Sequence, residues 1–200
     1  MIEVKDATIA IGKRTLLEGL SFIAKDGELT CLTGPEGSGK TAFIRTLMGF
    51  LPVRKGFVSV DGELLTVRSS QAFRLMMVYL PQQIQMLTHL LKAPDALVGK
   101  AEEYAVWNAV LPSVEQEREP EPLSPEATFL FAERTIREES DRQFIIVDEP
   151  AAYLSPELTD RMMTLLKEQA AQGKTVLVAS RSPQIVAQAS QVINLVNIGK

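Results

Sequence analysis

One eight-residue segment of this chain has the residue types and spacing needed to hold phosphate groups. The segment GPEGSGKT fits the pattern GxxxxGK(S/T) at every fixed position. Its glycines let backbone N–H groups turn inward around phosphates, and a helix that follows points the positive end of its dipole at them. In this pattern Lys40 reaches the β- and γ-phosphates, and the Thr41 hydroxyl binds Mg²⁺. The sequence therefore predicts a nucleoside triphosphate site on Gly34, Pro35, Glu36, Gly37, Ser38, Gly39, Lys40 and Thr41.

The segments on either side of the loop support this prediction. Glu28 to Thr33 is a short apolar run of strand-forming residues, and Thr41 to Phe50 has apolar residues at helical spacing. A phosphate loop requires a strand before it and a helix after it. A glycine-rich turn with a chance lysine would require neither, so the context favours the phosphate loop.

A second motif, FIIVDEP at Phe144 to Pro150, ends an apolar strand on two acidic residues. Folds with parallel sheets bind their ligands at the carboxyl ends of the strands. Asp148 is therefore a candidate ligand for Mg²⁺, and Glu149 is a candidate base for an attacking water. An ordinary strand end and turn would also explain this motif alone, but its pairing with the phosphate loop favours the chemical roles.

Length, charge and cysteine content narrow the class of protein. The 200 residues suit one domain, which we expect to cover residues 1–200. A net charge of -4, with no run of clustered Lys and Arg, disfavours nucleic acid as a partner. The single Cys31 is expected to be a buried thiol and fits a reducing cytosol. Charges near the N-terminus argue against a signal peptide. No apolar run approaches the roughly 18 residues that span a bilayer, so a membrane role would require a partner.

The predicted elements are mostly strands at first and alternate between helix and strand later. Turn signals separate the early strands, and Asp61-Gly62 is expected at the turn of a hairpin. The early predicted segments are Ile2 to Ile11, Leu16 to Ala24, Glu28 to Thr33, the hairpin Gly56 to Leu65, and Leu75 to Leu80. A helical stretch follows, and from Pro125 helices alternate with strands. The order predicts an α/β fold, with an antiparallel N-terminal part and a parallel core sheet with helices on its faces.

The combination of GPEGSGKT, YLPQQ at Tyr79 to Gln83 and FIIVDEP resembles the ATP-binding domain of ABC transporters, a family of P-loop proteins that hydrolyse ATP. The resemblance implies an Mg²⁺-dependent ATPase with a short helical insert, placed here at about residues 83–140. It also implies that Gln82 touches Mg²⁺ or the attacking water. The implied partners are membrane-spanning transporter subunits and a second ATPase subunit, as a homodimer or heterodimer. The implied location is cytoplasmic, at the inner face of the membrane.

One departure from the family pattern lies where the family has the signature LSGGQ. The best match is LSPEA at Leu123 to Ala127, which agrees only in its first two residues. Pro125 has no N–H to offer a phosphate, and Glu126 adds a negative charge. An ordinary helix start explains the same residues, with Ser124 as N-cap and proline at the first helical position. The same Ser-Pro pair recurs at Ser155 and Ser182.

Three further positions also differ from the family pattern. Arg181 stands where the family usually carries a histidine that contacts the γ-phosphate, and the guanidinium could bind that phosphate instead. Ser155 replaces an aspartate, and Ile11 replaces an aromatic residue that stacks on adenine. The only histidine, His89, is expected to serve packing or the surface of the insert.

Two alternatives to a transporter ATPase stay open at this point. The changed signature and Arg181 would also suit a regulatory module that binds ATP with little turnover, although Glu149 argues against it. The other alternative is a soluble ABC ATPase that acts in an assembly process and not in transport. The uncharged run Leu75 to Leu91, with Met76, Met77 and Met86, would suit either the core or a surface for a membrane subunit.

Overall fold

The computed structural model describes residues 1–82 and 123–195. In chain order the strands are β1 (Ile2–Ile11), β2 (Arg14–Ala24), β3 (Leu29–Thr33), β4 (Val53–Val60), β5 (Glu63–Leu64), β6 (Met77–Leu80), β7 (Phe144–Asp148), β8 (Thr175–Ala179) and β9 (Gln191–Asn194). The helices are α1 (Lys40–Leu47), α2 (Ser70–Leu75), α3 (Pro125–Glu138), α4 (Pro156–Ala171) and α5 (Pro183–Val186), with a short 3-10 turn at Pro150–Ala152.

The strands form two sheets of different kinds. The first is antiparallel, in the order β2-β1-β4-β5. The second is parallel, in the order β6-β7-β8-β3-β9. In a parallel sheet all strands end at the same edge, so the segments that follow β3, β6, β7 and β8 are brought together.

Alternation along the parallel strands divides the core into two layers. In β7, Phe144 and Ile146 face the layer shared with α1 and the antiparallel sheet, whereas Ile145 and Val147 face the layer covered by α3, α4 and α5. All four of these side chains are fully buried. Strands with both faces covered read as continuous apolar runs. The run FIIV is therefore a direct consequence of its central place in the sheet.

The predicted α/β fold is confirmed, with shifts at the ends of several elements. α1 ends at Leu47 rather than Phe50, because Gly49 adopts a positive φ of 76° that ends the helix there. The strand expected from Leu75 begins at Met77, because a short helix, α2, precedes it. The expected insert at 83–140 falls largely outside the described residues, as do His89 and Met86; its last part forms α3.

Two methionines of the uncharged run have a role in the core. Met77 is fully buried, and Met76 packs against the layer beneath the antiparallel sheet. The buried thiol expected of Cys31 is confirmed as well, since it lies in the centre of β3 with no exposed surface. Burial raises the pKa of Cys31 to about 11, which keeps the thiol protonated and unreactive.

Serine-proline pairs begin the helices on the second half of the chain, as predicted, with one difference. Ser124 accepts a hydrogen bond from the Ala127 amide at the start of α3. Ser155 accepts one from the Leu158 amide at the start of α4. Ser182 occupies the same place before α5 but its side chain makes no capping bond. The first two serines therefore act as N-caps, and the third does so by position only.

Gly56 provides a test of how the antiparallel sheet is assembled. It has a φ of 70°, and a methyl group there would lie 2.2 Å from the Lys5 carbonyl oxygen and 2.3 Å from that of Asp6. A methyl group at Gly62, which has a φ of 83°, would have nothing within 4 Å.

We expect Gly62→Ala to lower the free energy of unfolding by about 1–2 kcal/mol, the cost of the backbone conformation alone. Gly56→Ala should cost about 2 kcal/mol more, because β1 and β4 must move apart. Urea unfolding of both variants measures the difference, and equal losses would contradict this account.

Candidate nucleotide-binding site

The predicted site residues meet at the carboxyl edge of the parallel sheet. The phosphate loop follows β3, Asp148 ends β7 with Glu149 next, and Arg181 follows β8 after one residue. The pairs Leu32–Ala179 and Asp148–Ala179 are in register across β3, β8 and β7, so these strand ends are adjacent. The chemistry predicted from separate motifs therefore lies in one place.

The phosphate loop folds tightly enough to exclude larger residues. At Gly34, with a φ of 149°, a methyl group would lie 2.4 Å from the Leu195 carbonyl oxygen. Gly39 precedes α1 and offers no side chain to cap it. The first amides of α1 are therefore left without a side-chain cap, in the arrangement that binds anions at helix N-termini. Lys40, the first residue of α1, folds back over the loop and donates to the carbonyl oxygens of Gly34 (2.9 Å) and Pro35 (3.2 Å).

A second contact ties α1 to the end of β7. The Thr41 hydroxyl donates to Asp148 Oδ2 at 3.0 Å. Asp148 is 1% exposed, and its Oδ1 has no hydrogen-bond partner in the described part of the chain. Burial raises the pKa of Asp148 to about 6, while the hydrogen bond from Thr41 acts against that rise. At neutral pH the group is still largely a carboxylate, with one oxygen atom free to bind a cation.

Glu149 is held in an uncommon backbone conformation. It has φ 47° and ψ 54°, which is left-handed and rare for a residue other than glycine. Its amide donates to the Ala179 carbonyl oxygen at 2.8 Å, so the pairing of β7 with β8 continues past the strand end. Strained residues of this kind concentrate at functional sites. The conformation places the side chain, which is about nine-tenths buried, beside Lys40 and Arg181.

Charges in the site are paired with one another. Glu149 Oε1 lies 3.4 Å from Lys40 Nζ and 3.5 Å from Arg181 Nε. Glu149 Oε2 accepts a hydrogen bond from the Arg181 amide at 3.2 Å. On its outer side the guanidinium reaches Glu36 Oε2, at 3.2 Å from Nη1. Two cations and two carboxylates therefore line the place predicted for the end of the triphosphate.

The remaining residues named from the sequence lie at the edge of the sheet, in the phosphate loop or at the ends of other elements. Gln82 is exposed in the turn after β6, which neighbours β7, so it lies at the same sheet edge as Asp148. Ser38 is fully buried in the loop, and its hydroxyl has no partner within the residues described. Ile11 ends β1 and is half exposed. Ser155 caps α4.

Sequence reasoning missed two features of the site. Tyr79 and Tyr153 are near enough for the charge of Asp148 to raise the pKa of both phenols, adding to the larger effect of their burial. It also missed the contact of Arg181 with Glu36, although both residues were named. Arg181 and Glu36 are 145 positions apart in sequence, and only the strand order brings them together.

A phosphate loop between a strand and a helix, with an acidic pair at the end of another strand of the same parallel sheet, defines a P-loop nucleotide-binding protein. The family model for ABC transporters matches residues 17–152, more than half of the chain, and the chain belongs to this family. It is therefore an ATP-binding subunit with the P-loop ATPase fold and chemistry.

Individual relatives agree with this assignment. The chain is 28% identical to a thiamine import ATP-binding protein from Photobacterium profundum, over 93% of the chain and 81% of the relative. A nucleotide-free ATP-binding cassette from an ABC transporter has the same fold, with a TM-score of 0.73 and 21% identity over 98% of this chain and 87% of that one. A dimeric bacterial ABC transporter cassette gives a TM-score of 0.65 and 21% identity, over 98% and 94% of the two chains.

Replacing Lys40 tests the phosphate loop directly. Lys40→Ala removes a charged donor, and hydrogen bonds to charged groups contribute about 1.5–3 kcal/mol. We therefore expect ATP affinity, measured by isothermal titration calorimetry, to fall by about 10- to 100-fold. Lys55→Ala, an exposed lysine of β4, is the matched control and should bind as the wild type does. Unchanged ATP binding by a folded Lys40→Ala variant would contradict the site.

Proposed function

We propose that this chain hydrolyses ATP, with Mg²⁺, to power the movement of a substrate through separate membrane-spanning subunits. The observation that carries the proposal is the convergence of Lys40, Thr41, Asp148 and Glu149 at one sheet edge, with Glu149 oriented toward the phosphate loop. A relative of similar length is an import ATP-binding protein, which supports a role in transport. In the described ranges no helix has the length and apolar character to cross a bilayer. Attachment to the cytoplasmic side of a membrane would accordingly come through the partner subunits.

Residues at the site fit a magnesium ion bound together with ATP. Asp148 offers a buried carboxylate oxygen without a partner in the described segments, and the Thr41 hydroxyl lies beside it. Hard oxygen ligands of this kind are what Mg²⁺ prefers, usually with phosphate oxygens completing its shell. Within 1–82 and 123–195 no group of three or more His, Cys, Asp or Glu forms a metal site. Asp148, Thr41 and Gln82 are therefore proposed to hold the ion with the phosphates, where it would offset phosphate charge.

In the proposed mechanism the protein residues position the phosphates and a water. The amides of the loop and of the first turn of α1 bind phosphate oxygens. Lys40 exchanges its contacts with the Gly34 and Pro35 carbonyls for the β- and γ-phosphates, and stabilises charge that develops on the transferring group. The water oxygen bonds to the γ-phosphorus as the bond between that phosphorus and the bridging oxygen breaks, so that ADP leaves, and Glu149 accepts the proton of the water. Arg181 takes the place of the family's histidine at the γ-phosphate, as a fixed positive charge that does not shuttle protons.

The start of α3 is poorly suited to complete the site of another subunit. The Ser124 hydroxyl is already used as the cap of α3, and Pro125 has no N–H. Glu126 adds a negative charge in the first turn, where a phosphate would approach. We infer that the chain pairs with a second ABC ATPase subunit whose intact signature closes over this chain's ATP, rather than with a copy of itself. A cassette of the same fold is a dimer, which supports pairing in general.

A second function is favoured by one observation. Glu149, the proposed base, is engaged by Lys40, by the Arg181 side chain and by the Arg181 amide. A base that kept these partners with ATP bound would accept a proton poorly. The chain would then be a regulatory subunit that binds ATP with little turnover.

Glu149→Gln separates the two functions. If Glu149 is the base, the amide should lower ATP turnover by about 100-fold or more while ATP affinity stays within about threefold. The exposed Glu157→Gln, at the start of α4, is the matched control and should keep full turnover. Phosphate release and equilibrium binding measure the two quantities, in the presence of partner subunits where these raise turnover. If ATP turnover by the unmodified chain is already negligible and Glu149→Gln does not change it, the regulatory function is favoured.

Converting LSPEA to the family signature LSGGQ tests whether the unmodified chain pairs with a different subunit rather than with a copy of itself. Light scattering should find the Glu149→Gln chain monomeric with MgATP, because two copies of LSPEA cannot close over two phosphates. Adding Pro125→Gly, Glu126→Gly and Ala127→Gln should produce an ATP-dependent homodimer. A subunit with its own LSGGQ should pair with the chain that keeps LSPEA. An ATP-dependent homodimer of the chain that keeps LSPEA would contradict the inferred pairing with a different subunit.

A further inference from the structure

Arg181 lies between two carboxylates that belong to different parts of the site. Its Nε is 3.5 Å from Glu149 Oε1, on the inner side, and its Nη1 is 3.2 Å from Glu36 Oε2, on the outer side. The Arg181 side chain is 49% exposed and that of Glu36 is 88% exposed, whereas that of Glu149 is 10% exposed. The guanidinium therefore bridges the mouth of the phosphate loop to the buried acid.

Glu36 belongs to the phosphate loop itself, two residues after Gly34. Its carboxylate is consequently an anion built into a loop that binds anions. A guanidinium binds carboxylate and phosphate with the same planar set of donors, so one can replace the other. The contact with Glu36 is thus a contact of the kind that Arg181 would make with a phosphate.

The four charged groups of the site balance one another. Lys40 and Arg181 supply two positive charges, and Glu149 and Glu36 supply two negative charges, at distances of 3.2–3.5 Å. A γ-phosphate that takes Arg181 must therefore break the pair with Glu36 or share the guanidinium with it. ADP has no γ-phosphate and leaves the pair intact. The cost of breaking the pair consequently falls on ATP alone.

We propose that Glu36 competes with the γ-phosphate for Arg181, and that it thereby sets how strongly this chain prefers ATP over ADP. The proposal rests on the proposed function in one respect, the contact of Arg181 with the γ-phosphate. Glu36 is a specificity-determining residue in this scheme and takes no part in the chemical step. By holding Arg181 when ADP is bound, it also lets product and empty states keep the same ion pair.

The test measures the ratio of the dissociation constants of ADP and a non-hydrolysable ATP analogue, both with Mg²⁺, by calorimetry on the full chain. Glu36→Gln should raise this ratio by about threefold, the size expected for loss of one exposed ion pair. The change should come from tighter binding of the ATP analogue, with ADP affinity unchanged. The rise should shrink as salt is added, because exposed charges are screened. Glu63→Gln, an exposed glutamate of β5, is the matched control and should leave the ratio unchanged.

Measuring the effect of Glu36→Gln in a chain that also carries Arg181→Gln decides whether Glu36 acts through Arg181. Arg181→Gln alone should lower the ratio, and adding Glu36→Gln to it should then change nothing, since the competed group is gone. If Glu36→Gln raises the ratio equally with and without Arg181, the glutamate acts by direct repulsion and the proposal is wrong. It is also wrong if Glu36→Gln leaves the ratio unchanged while Arg181→Gln lowers it. If Arg181→Gln itself has no effect, the contact of Arg181 with the γ-phosphate fails, which is separable because turnover and its dependence on Glu149 are measured independently.

Discussion

The buried ion pair of Lys40 with Glu149 is the interaction on which the site depends. It joins the first residue of α1 to the residue after β7, and both side chains are about nine-tenths buried or more. Removing one partner from a buried pair typically costs about 3–5 kcal/mol, because the other charge is left without compensation. Lys40 also bonds two carbonyl oxygens of the loop, so the same side chain fixes the shape of the loop and its distance from the acid. The phosphate loop and the acidic pair are in this sense one structure.

The strain at Glu149 is maintained by the sheet around it. The register of β7 with β8 runs to Asp148 opposite Ala179, and the Glu149 amide then bonds the Ala179 carbonyl oxygen. A left-handed residue of this type costs about 1–3 kcal/mol and persists only where neighbours determine it. Here the central strands, buried on both faces, provide that rigidity. The main-chain hydrogen bond therefore fixes the backbone of the proposed base, and Lys40 and Arg181 hold its side chain.

The parts of the site that could be predicted from sequence are those set by local patterns. GPEGSGKT directly follows a strand and FIIVDEP contains one, so Lys40, Thr41, Asp148 and Glu149 could be named as candidates before their contacts were known. Serine before proline likewise predicted the caps of α3 and α4. The contact of Glu36 with Arg181 could not be found in this way, because strand order alone joins residues 145 positions apart. α2 was missed because its six residues are too few for helical periodicity to be distinguished.

The same local forces also explain why the altered signature and the intact loop differ in what they can bind. At the start of α1 the residue before the helix is Gly39, which offers no side chain, so the amides stay available to an external anion. At the start of α3 the Ser124 hydroxyl satisfies the Ala127 amide, Pro125 removes another donor, and Glu126 brings a carboxylate to the dipole. One helix start is left without internal partners and the other is supplied with them by its own sequence. A helix start with fewer free donors and an added negative charge gains little from a phosphate. The starts of α1 and α3 therefore differ in their capacity to bind ATP in the proposed dimer, for reasons of helix capping and local charge.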